Sequence, residues 1–301
     1  MSRLDPRLAT ALTESGVPFR ENEPFARHTT MGVGGPAAIM AFPRTTEELR
    51  RCLAVRAELD APHRILGAGS NLVVVDEGLD EVVVNTEALT AVEVQDGRAT
   101  AEAGANLIRT VMRTCREGWR GLERAVGVPG SVGGAAVMNA GAYGFSVSNI
   151  LESLLVFAAD GQPLEPPEGW SFRYRGSSIP EGAAVARVTV RLTAEDPAAL
   201  ERETRDLAAE RVRSQPGGRN AGCVFKNPQG AAAGRLIDDL GLKGTRIGGV
   251  VVSERHANFL VNDAHGSASD VLALLERVHQ TVLRETGVDL DLEVKVWRPR
   301  S

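Results

Sequence analysis

The stretch Gly127-Val-Pro-Gly-Ser-Val-Gly-Gly-Ala-Ala-Val-Met-Asn-Ala-Gly-Ala-Tyr-Gly144 is the most informative part of this chain. Four of its first eight residues are glycine, no residue in it is charged, and alanines follow the glycines. Glycine loses more backbone entropy on folding than any other residue, so a cluster of glycines needs a physical reason. A flexible linker would be polar, whereas this segment is apolar. We favour a rigid loop whose backbone amides approach an anion such as a phosphate, and a buried structural turn is the alternative.

A second glycine-bearing loop, Gly67-Ala-Gly-Ser-Asn71, interrupts an apolar, strand-like segment. The Gly-x-Gly-x-x-Gly fingerprint of a Rossmann site would need glycine at position 72, which is Leu72, and a helical pattern directly after it. Neither loop ends in the Gly-Lys-Ser/Thr of a P-loop. One Gly-x-Gly is equally typical of a tight turn at a strand end, but two such loops together indicate a pyrophosphate held by backbone amides. We therefore predict a bound nucleotide in a site of neither class.

Helix and strand patterns alternate through the first half of the chain. Thr45-Thr-Glu-Glu48 predicts a capping box at the start of a helix that runs to about Leu59. Apolar residues at helical spacing from Leu107 to Cys115 predict another helix, with Gly118 as its C-terminal cap. Strands are predicted on both sides of the loop between Ile65 and Val75, over Glu81 to Asn85, over Ala91 to Ala103 with a turn at Asp96-Gly97, and over Ile150 to Ala158 and Ala183 to Leu192.

The pattern changes near residue 200, where we place a domain boundary. A charged helix is predicted from Pro197 to Arg213, followed by apolar strands and a helix built on residues 271–282. Apolar and polar residues then alternate from Val288 to Val296, which predicts a final strand with Asp289, Asp291 and Glu293 on its polar face. The whole pattern indicates an α+β chain.

Composition excludes several classes of protein. The chain has 301 residues, enough for more than one domain, and its net charge of -5 argues against a nucleic-acid-binding protein. No apolar run is long enough to cross a bilayer, and the first residues lack the apolar region of a secretory signal. The three cysteines form neither a close pair nor a metal-ligand spacing. We expect a cytoplasmic protein without membrane insertion and without a bound metal.

Seven motifs together carry a specific resemblance. Besides the two glycine loops, the motifs are His28-Thr-Thr-Met-Gly-Val-Gly-Gly-Pro36, Tyr174-Arg-Gly-Ser-Ser178, Ala221-Gly-Cys-Val-Phe-Lys-Asn-Pro228, Ala233-Gly-Arg-Leu-Ile237 and Ser253-Glu-Arg-His-Ala-Asn-Phe-Leu-Val-Asn262. In this order and spacing they resemble the UDP-N-acetylenolpyruvoylglucosamine reductases, flavoenzymes also called UDP-N-acetylmuramate dehydrogenases or MurB. The resemblance covers the chain from about residue 20 to its end.

This resemblance implies a fold, two cofactors and a partner. The fold would be a two-subdomain FAD-binding fold of the vanillyl-alcohol-oxidase (PCMH) type over residues 1–195, with a break between the subdomains near residues 85–100. An α+β substrate-binding domain would follow over residues 196–301, as in the shorter class of the family that lacks an extra tyrosine-bearing loop. FAD would bind non-covalently, NADPH and a UDP-sugar would be the substrates, and we expect a monomer.

The two glycine loops are the implied FAD site. Its candidate residues are Gly67, Ala68, Gly69, Ser70, Asn71, Gly127, Pro129, Gly130, Ser131, Gly133, Gly134, Asn139 and Gly141.

The resemblance also implies three catalytic residues. Hydride addition to the enolpyruvyl double bond leaves negative charge beside the substrate carboxylate, which a fixed guanidinium such as Arg175 stabilises well. Cys223 stands where the family usually has a serine as proton donor, and a thiol is the stronger acid, although a free cysteine is more often a small buried hydrophobe. Glu293 matches a glutamate that assists this step, while its spacing alone does not separate it from Asp289 and Asp291.

Substrate-binding candidates come from the same motifs, each with the ordinary alternative of a solvated or structural side chain. They are Tyr174, Lys226, Asn227, Arg235, His256 and Asn258. The implied activity is NADPH-dependent reduction of UDP-N-acetylglucosamine enolpyruvate. The alternatives are another FAD oxidoreductase acting on an alcohol or sugar, and a nucleotide-binding protein that has lost turnover. We assign Cys52 and Cys115, which lie on apolar helix faces, to the core.

Overall fold

The computed structural model describes residues 4–300 and confirms an α+β chain. Its helices are α1 Leu8–Glu14, α2 Thr46–Glu58, α3 Leu107–Arg116, α4 Val132–Val137, α5 Pro197–Ser214, α6 Ala233–Asp239 and α7 Ala268–Thr286. Its strands are β1 Phe19–Pro24, β2 Pro36–Ala41, β3 His63–Leu66, β4 Leu72–Val74, β5 Leu79–Asn85, β6 Val92–Gln95, β7 Arg98–Glu102, β8 Trp119–Arg120, β9 Gly141–Ala142, β10 Phe145–Ser146, β11 Leu151–Phe157, β12 Phe172–Arg173, β13 Gly176–Ser177, β14 Ala184–Arg191, β15 Thr193–Ala194, β16 Arg219–Cys223, β17 Arg246–Ile247, β18 Val250–Val252, β19 Phe259–Asn262 and β20 Lys295–Trp297.

The local signals in the sequence account for most of these boundaries. The Thr45 side chain accepts a hydrogen bond from the N–H of Glu48, which confirms the predicted start of α2. Helix α3 occupies the predicted range and is followed by Gly118 in a left-handed conformation. Strands β6 and β7 form the hairpin predicted around Asp96-Gly97.

Contacts along the chain divide it into two compact units. Unit 1 consists of the described part of Met1–Asn22, with Ala38–Ala68 and Asp80–Glu210. Unit 2 consists of Glu23–Ala37, Gly69–Leu79 and the described part of Arg211–Ser301. This division differs from the expected boundary near residue 195, because two short segments of the first half group with the C-terminal part. Non-local pairing explains one of them: β4 pairs in parallel with β20 through Leu72, Val73 and Val74.

Unit 1 contains two hydrophobic cores. One lies between α1, α2 and the sheet of order β1-β2-β5-β3, and includes Leu12, Leu49 and Val82. The other lies between α3, α4 and the antiparallel sheet of order β11-β14-β7-β6, and includes Val111, Ala136 and Val188.

Unit 2 is built on the antiparallel sheet of order β16-β19-β18-β17, against which α6 and α7 pack their apolar faces. Helix α7 begins with a capping box between Ser267 and Asp270 and ends before Gly287. None of the helices formed by residues 4–300 is both long and apolar enough to cross a bilayer.

The prediction of a continuous strand from Val288 to Val296 was wrong. Only Lys295–Trp297 forms a strand, and Leu292, expected on the buried face, is 43% exposed. The N–H groups of Glu293 and Val294 both donate to the carbonyl of Val224, and the N–H of Lys226 donates to the carbonyl of Asp291. The segment therefore forms a single bridge, between Leu292 and Phe225, and does not pair along its length. Apolar and polar residues alternate along an extended segment of this kind as they do along a strand, which is why the pattern predicted a strand.

Candidate active site

The glycine-rich stretch of unit 1 folds into a turn followed by the short helix α4. The Ser131 hydroxyl caps α4 by accepting a 3.3 Å hydrogen bond from the N–H of Gly134, and the N–H of Gly133 donates to the carbonyl of Ala103 at 2.9 Å. These two amides are therefore used within the protein. Part of the glycine signal thus reflects the structural turn that was the alternative interpretation.

The two predicted glycine loops meet in unit 1. A Cβ atom added to Gly67 would lie 2.7 Å from the Ser131 hydroxyl oxygen, so a side chain at this position would displace Ser131. Ala68 beside it is exposed. The start of one loop and the turn of the other therefore form one surface of unit 1 with little side chain between them.

Arg175 occupies the tip of a hairpin in unit 1. Strands β12 and β13 pair Phe172 with Ser177, which leaves Tyr174 and Arg175 in a tight turn. Arg175 has a φ of 55°, a left-handed conformation that costs a residue with a side chain about 1–2 kcal/mol. Its Nη1 donates a 3.0 Å hydrogen bond to the carbonyl of Gly141, and its guanidinium carbon lies 5.3 Å from the centre of the Tyr174 ring. The Arg175 side chain is therefore held at the tip of the hairpin by its contacts with Gly141 and Tyr174.

Other residues of the glycine-rich segment hold this hairpin in place. The Asn139 amide donates to the carbonyl of Arg173 at 3.2 Å, and the Ser177 hydroxyl donates to the carbonyl of Val137 at 2.8 Å. Tyr174 is 58% exposed beside Arg175. The structure thus joins the predicted cofactor residues Asn139 and Gly141 to the predicted catalytic arginine.

In unit 2, the Gly69-Ser-Asn71 turn packs against the His28-Thr-Thr motif. Gly69 has a φ of 60°, and a Cβ atom there would collide with the carbonyl oxygen of His28 and lie 2.9 Å from the Cα of Thr29. The N–H of Thr30 donates to the carbonyl of Gly69 at 3.1 Å. Only glycine fits this position without displacing backbone.

Cys223 and Glu293 lie on neighbouring segments of unit 2. Cys223 ends β16 opposite Phe259, and the N–H of Glu293 donates to the carbonyl of Val224 at 2.8 Å. Both side chains belong to half-buried residues, whereas Asp289 and Asp291 are exposed. The structure therefore separates Glu293 from the two aspartates that its spacing could not distinguish.

The three cysteines differ in environment as expected. Cys52 and Cys115 are buried, and burial raises the pKa of Cys52 to about 12 and also raises the pKa of Cys115. Both are core residues, as the sequence predicted. Cys223 is half-buried and follows Gly222, whose left-handed φ of 76° turns the chain just before it.

Two of the predicted substrate-binding residues have clear structural tasks. Asn258 is buried, and its amide accepts from the N–H of Phe225 at 2.9 Å and donates to the carbonyl of Phe225 at 2.8 Å. The Nδ1 atom of His256 accepts from the N–H of Asn258 at 3.2 Å. Because burial lowers the pKa of His256, its imidazole is neutral near pH 7.

The other candidates lie closer to the surface of unit 2. Asn227 accepts from the N–H of Ala233 at 3.0 Å, and Lys226 lies 3.8 Å from a carboxylate oxygen of Asp291. Arg235 is paired with Asp239 at 3.6 Å on α6. Lys226 and Asn227 follow Cys223 closely in the chain, so they share its region of unit 2, whereas Arg235 stands on the exposed side of α6.

Comparison with known proteins identifies the family. The chain is 42% identical over 279 residues to a UDP-N-acetylenolpyruvoylglucosamine reductase of Moorella thermoacetica, covering 92% of each chain. It is 41% identical to the enzyme of that name from Streptococcus pyogenes, covering 93% of this chain and 96% of that one. This chain belongs to the UDP-N-acetylenolpyruvoylglucosamine reductase family. The resemblance that the seven motifs carry is confirmed.

Family models and solved structures agree with this assignment. Residues 36–165 match the FAD binding domain model, and residues 214–297 match the C-terminal domain of UDP-N-acetylenolpyruvoylglucosamine reductase. The structure resembles the MurB of Thermus caldophilus with a TM-score of 0.80 and 39% identity, covering 94% of this chain and 99% of that one. A berberine bridge enzyme variant shares the fold alone, with a TM-score of 0.50 and 16% identity over 64% of this chain and 44% of that one. The predicted FAD-binding fold is therefore confirmed.

The residues of the two glycine loops fit FAD. Neither glycine loop contains an acidic residue that would repel a pyrophosphate, and Gly67 and Ser131 bring the two loops together in unit 1. Backbone N–H groups and small polar side chains are the usual partners of such an anion. In unit 1, Gly67, Ala68 and residues 127–131 are the residues that would hold it.

Thr30 is a candidate that the sequence does not single out, because nothing in its motif distinguishes this hydroxyl from that of Thr29. The structure does so, because the Thr30 hydroxyl donates a 2.6 Å hydrogen bond to the carbonyl of Asn220, on the strand that carries Cys223.

Proposed function

We propose that this protein reduces UDP-N-acetylglucosamine enolpyruvate to UDP-N-acetylmuramate, with NADPH as the reductant and FAD as the tightly but non-covalently bound cofactor. The proposal places it in peptidoglycan precursor synthesis in the cytoplasm, acting as a monomer. The observation that carries it is the position of Cys223 and Glu293 on neighbouring segments, which the bond from the Glu293 N–H to the Val224 carbonyl joins.

The chemistry assigns one task to each residue. When bound, FAD supplies the hydride that is added to the enolpyruvyl double bond at the carbon remote from the carboxylate. Addition there leaves negative charge beside the carboxylate, and the Arg175 guanidinium stabilises that charge. The Cys223 thiol donates a proton to the carbon, and Glu293 assists that transfer.

Domain roles follow the same assignment. We propose that residues 1–195 form the FAD-binding domain, with subdomains that meet near residues 85–100, and that residues 196–301 form the substrate-binding domain. The remaining candidates, Tyr174, Lys226, Asn227, Arg235 and His256, are proposed to act on the substrate side. Asn258 supports them through its two hydrogen bonds to Phe225.

An anaerobic titration tests the function directly. Purified protein should be yellow, should lose flavin absorbance on addition of NADPH, and should regain it on addition of UDP-N-acetylglucosamine enolpyruvate. UDP-N-acetylglucosamine, which lacks the reducible double bond, is the matched control and should leave the flavin reduced. Return of absorbance with oxygen but not with the enolpyruvyl substrate would favour an oxidase of the same fold class and reject the proposal.

A further inference from the structure

The Gly69-Ser-Asn71 turn of unit 2 is fastened on one side by Thr30. The N–H of Thr30 donates to the carbonyl of Gly69 at 3.1 Å, and its hydroxyl donates to the carbonyl of Asn220 at 2.6 Å. Asn220 lies on β16, three residues before Cys223, and its own side chain accepts from the N–H of Gly222 at 3.0 Å. Thr30 therefore links the turn to the backbone that leads into Cys223.

Asn71 fastens the same turn on its other side. Its side-chain amide donates to the carbonyl of Glu293 at 3.0 Å, and its carbonyl accepts from the N–H of Lys295 at 3.0 Å. Glu293 in turn donates its N–H to the carbonyl of Val224, the residue after Cys223. A continuous series of hydrogen bonds thus runs from the turn to Glu293 and on to the segment that carries Cys223.

We propose that Thr30 and Asn71 are positioning residues that set the backbone at Cys223 and Glu293. The inference rests on the proposed function, in which Cys223 donates the proton and Glu293 assists. It gives the Asn71 side chain a task beyond cofactor binding, and it gives the His28-Thr-Thr motif a role in the second half of the reaction. Proton transfer is sensitive to donor placement, so a loosened backbone here slows protonation of the substrate and spares reduction of the cofactor.

The variants are chosen to remove one hydrogen bond at a time. Thr30→Val keeps the shape and loses the hydroxyl, while Thr30→Ser keeps the hydroxyl. Asn71→Ala loses the donor to Glu293 without adding a charge to the glycine loop, and it is used for the alkylation measurement alone. Asp76→Ala is the control for general damage to the same part of unit 2, since the bonds of this carboxylate run to the N–H groups of Ala268 and Ser269 at the start of α7.

Two measurements on the holoenzyme test the positioning role of Thr30 and Asn71. The first compares the rate of flavin reduction by NADPH with the rate of reoxidation by the enolpyruvyl substrate in single turnovers. The second is the rate at which iodoacetamide alkylates Cys223, located by peptide mass spectrometry, which reports on its placement without any catalysis. Cys52 and Cys115 are buried and serve as slow-reacting internal references.

Loss of one hydrogen bond corresponds to about a 5-fold effect. Thr30→Val should slow reoxidation about 5-fold or more and change reduction less than about 2-fold, and Thr30→Val and Asn71→Ala should each change alkylation about 3-fold or more. Thr30→Ser should match the wild type, and Asp76→Ala should lower the melting temperature with both rates kept.

The positioning role would be overturned if Thr30→Val slowed both half-reactions equally, if Thr30→Ser were as slow as Thr30→Val, or if alkylation were unchanged in Thr30→Val and Asn71→Ala. Failure of the enolpyruvyl substrate to reoxidise the wild type would reject the proposed function instead. The alkylation rates would still decide the positioning of Cys223 in that case.

Discussion

Replacing Asn258 by alanine should destabilise unit 2 strongly. Asn258 is 2% exposed and Phe225 is 1% exposed, and the two hydrogen bonds between them satisfy both main-chain groups of Phe225. A buried donor or acceptor left without a partner costs about 1–3 kcal/mol, so the two together cost about 2–6 kcal/mol. We expect the free energy of unfolding of unit 2 to fall by about 3 kcal/mol or more.

The assay is urea unfolding read by peptide-resolved hydrogen exchange, so that unit 2 is measured apart from unit 1. The N–H of Phe225 should also exchange much faster in native conditions, because its acceptor is the Asn258 side chain. Asn227→Ala is the matched control, since it removes one partly buried hydrogen bond to Ala233 and should cost about 1 kcal/mol. A loss in Asn258→Ala no greater than in this control would refute the reasoning.

Three further predictions concern strain, close packing and pH. Arg175→Gly relieves a left-handed φ of 55° and should leave unfolding stability within about 1 kcal/mol of the wild type, while turnover falls at least about 100-fold; normal turnover would remove Arg175 from the mechanism. Gly144→Ala should lower the free energy of unfolding by about 1–2 kcal/mol for its φ of 75° alone, because no other atom lies near the added Cβ. Gly69→Ala should lower it by at least about 2 kcal/mol more, because its Cβ collides with the His28 carbonyl oxygen. Equal losses for the two variants in chemical denaturation would contradict the close approach. The hydrogen bond from the N–H of Ser267 lowers the pKa of Asp270. This carboxylate therefore stabilises unit 2 above its unfolded-state pKa, and the stabilisation is lost as the pH falls through its folded-state pKa. Asp270→Asn should flatten the loss of unfolding free energy below about pH 4, and an unchanged pH profile would contradict this.

Local chemistry made much of the fold predictable. The cap at Thr45, the turn at Asp96-Gly97 and the helical spacing from Leu107 onward depend on near neighbours in the chain, and each appears where the sequence placed it. The proximity of the two glycine loops was also predictable, because a pyrophosphate cradle needs both.

Non-local contacts were not predictable from one sequence. Nothing in residues 69–79 shows that β4 pairs with β20 near the end of the chain, so their place in unit 2 came from the structure alone. The predicted strand around Leu292 was wrong, and the role of the Thr30 hydroxyl was not predictable, for the same reason. Each depends on a partner far away in sequence, which is Val224 for the segment around Leu292 and Asn220 for Thr30.

The site shows the same limit within one motif. Asn258 and His256 were candidates for substrate contact, but the structure turns the amide of Asn258 to the backbone of Phe225. Polar residues in a motif can serve the reaction by holding the backbone, and only the direction of the side chain separates that role from direct contact.

The most direct test of the account is single-turnover kinetics of Cys223 variants. In Cys223→Ala, NADPH should reduce the flavin at nearly the wild-type rate, while reoxidation by UDP-N-acetylglucosamine enolpyruvate should slow about 100-fold or more because the proton donor is gone. Cys223→Ser should retain substantial reoxidation, since a hydroxyl can donate the same proton. Reoxidation at the wild-type rate in Cys223→Ala would contradict the account.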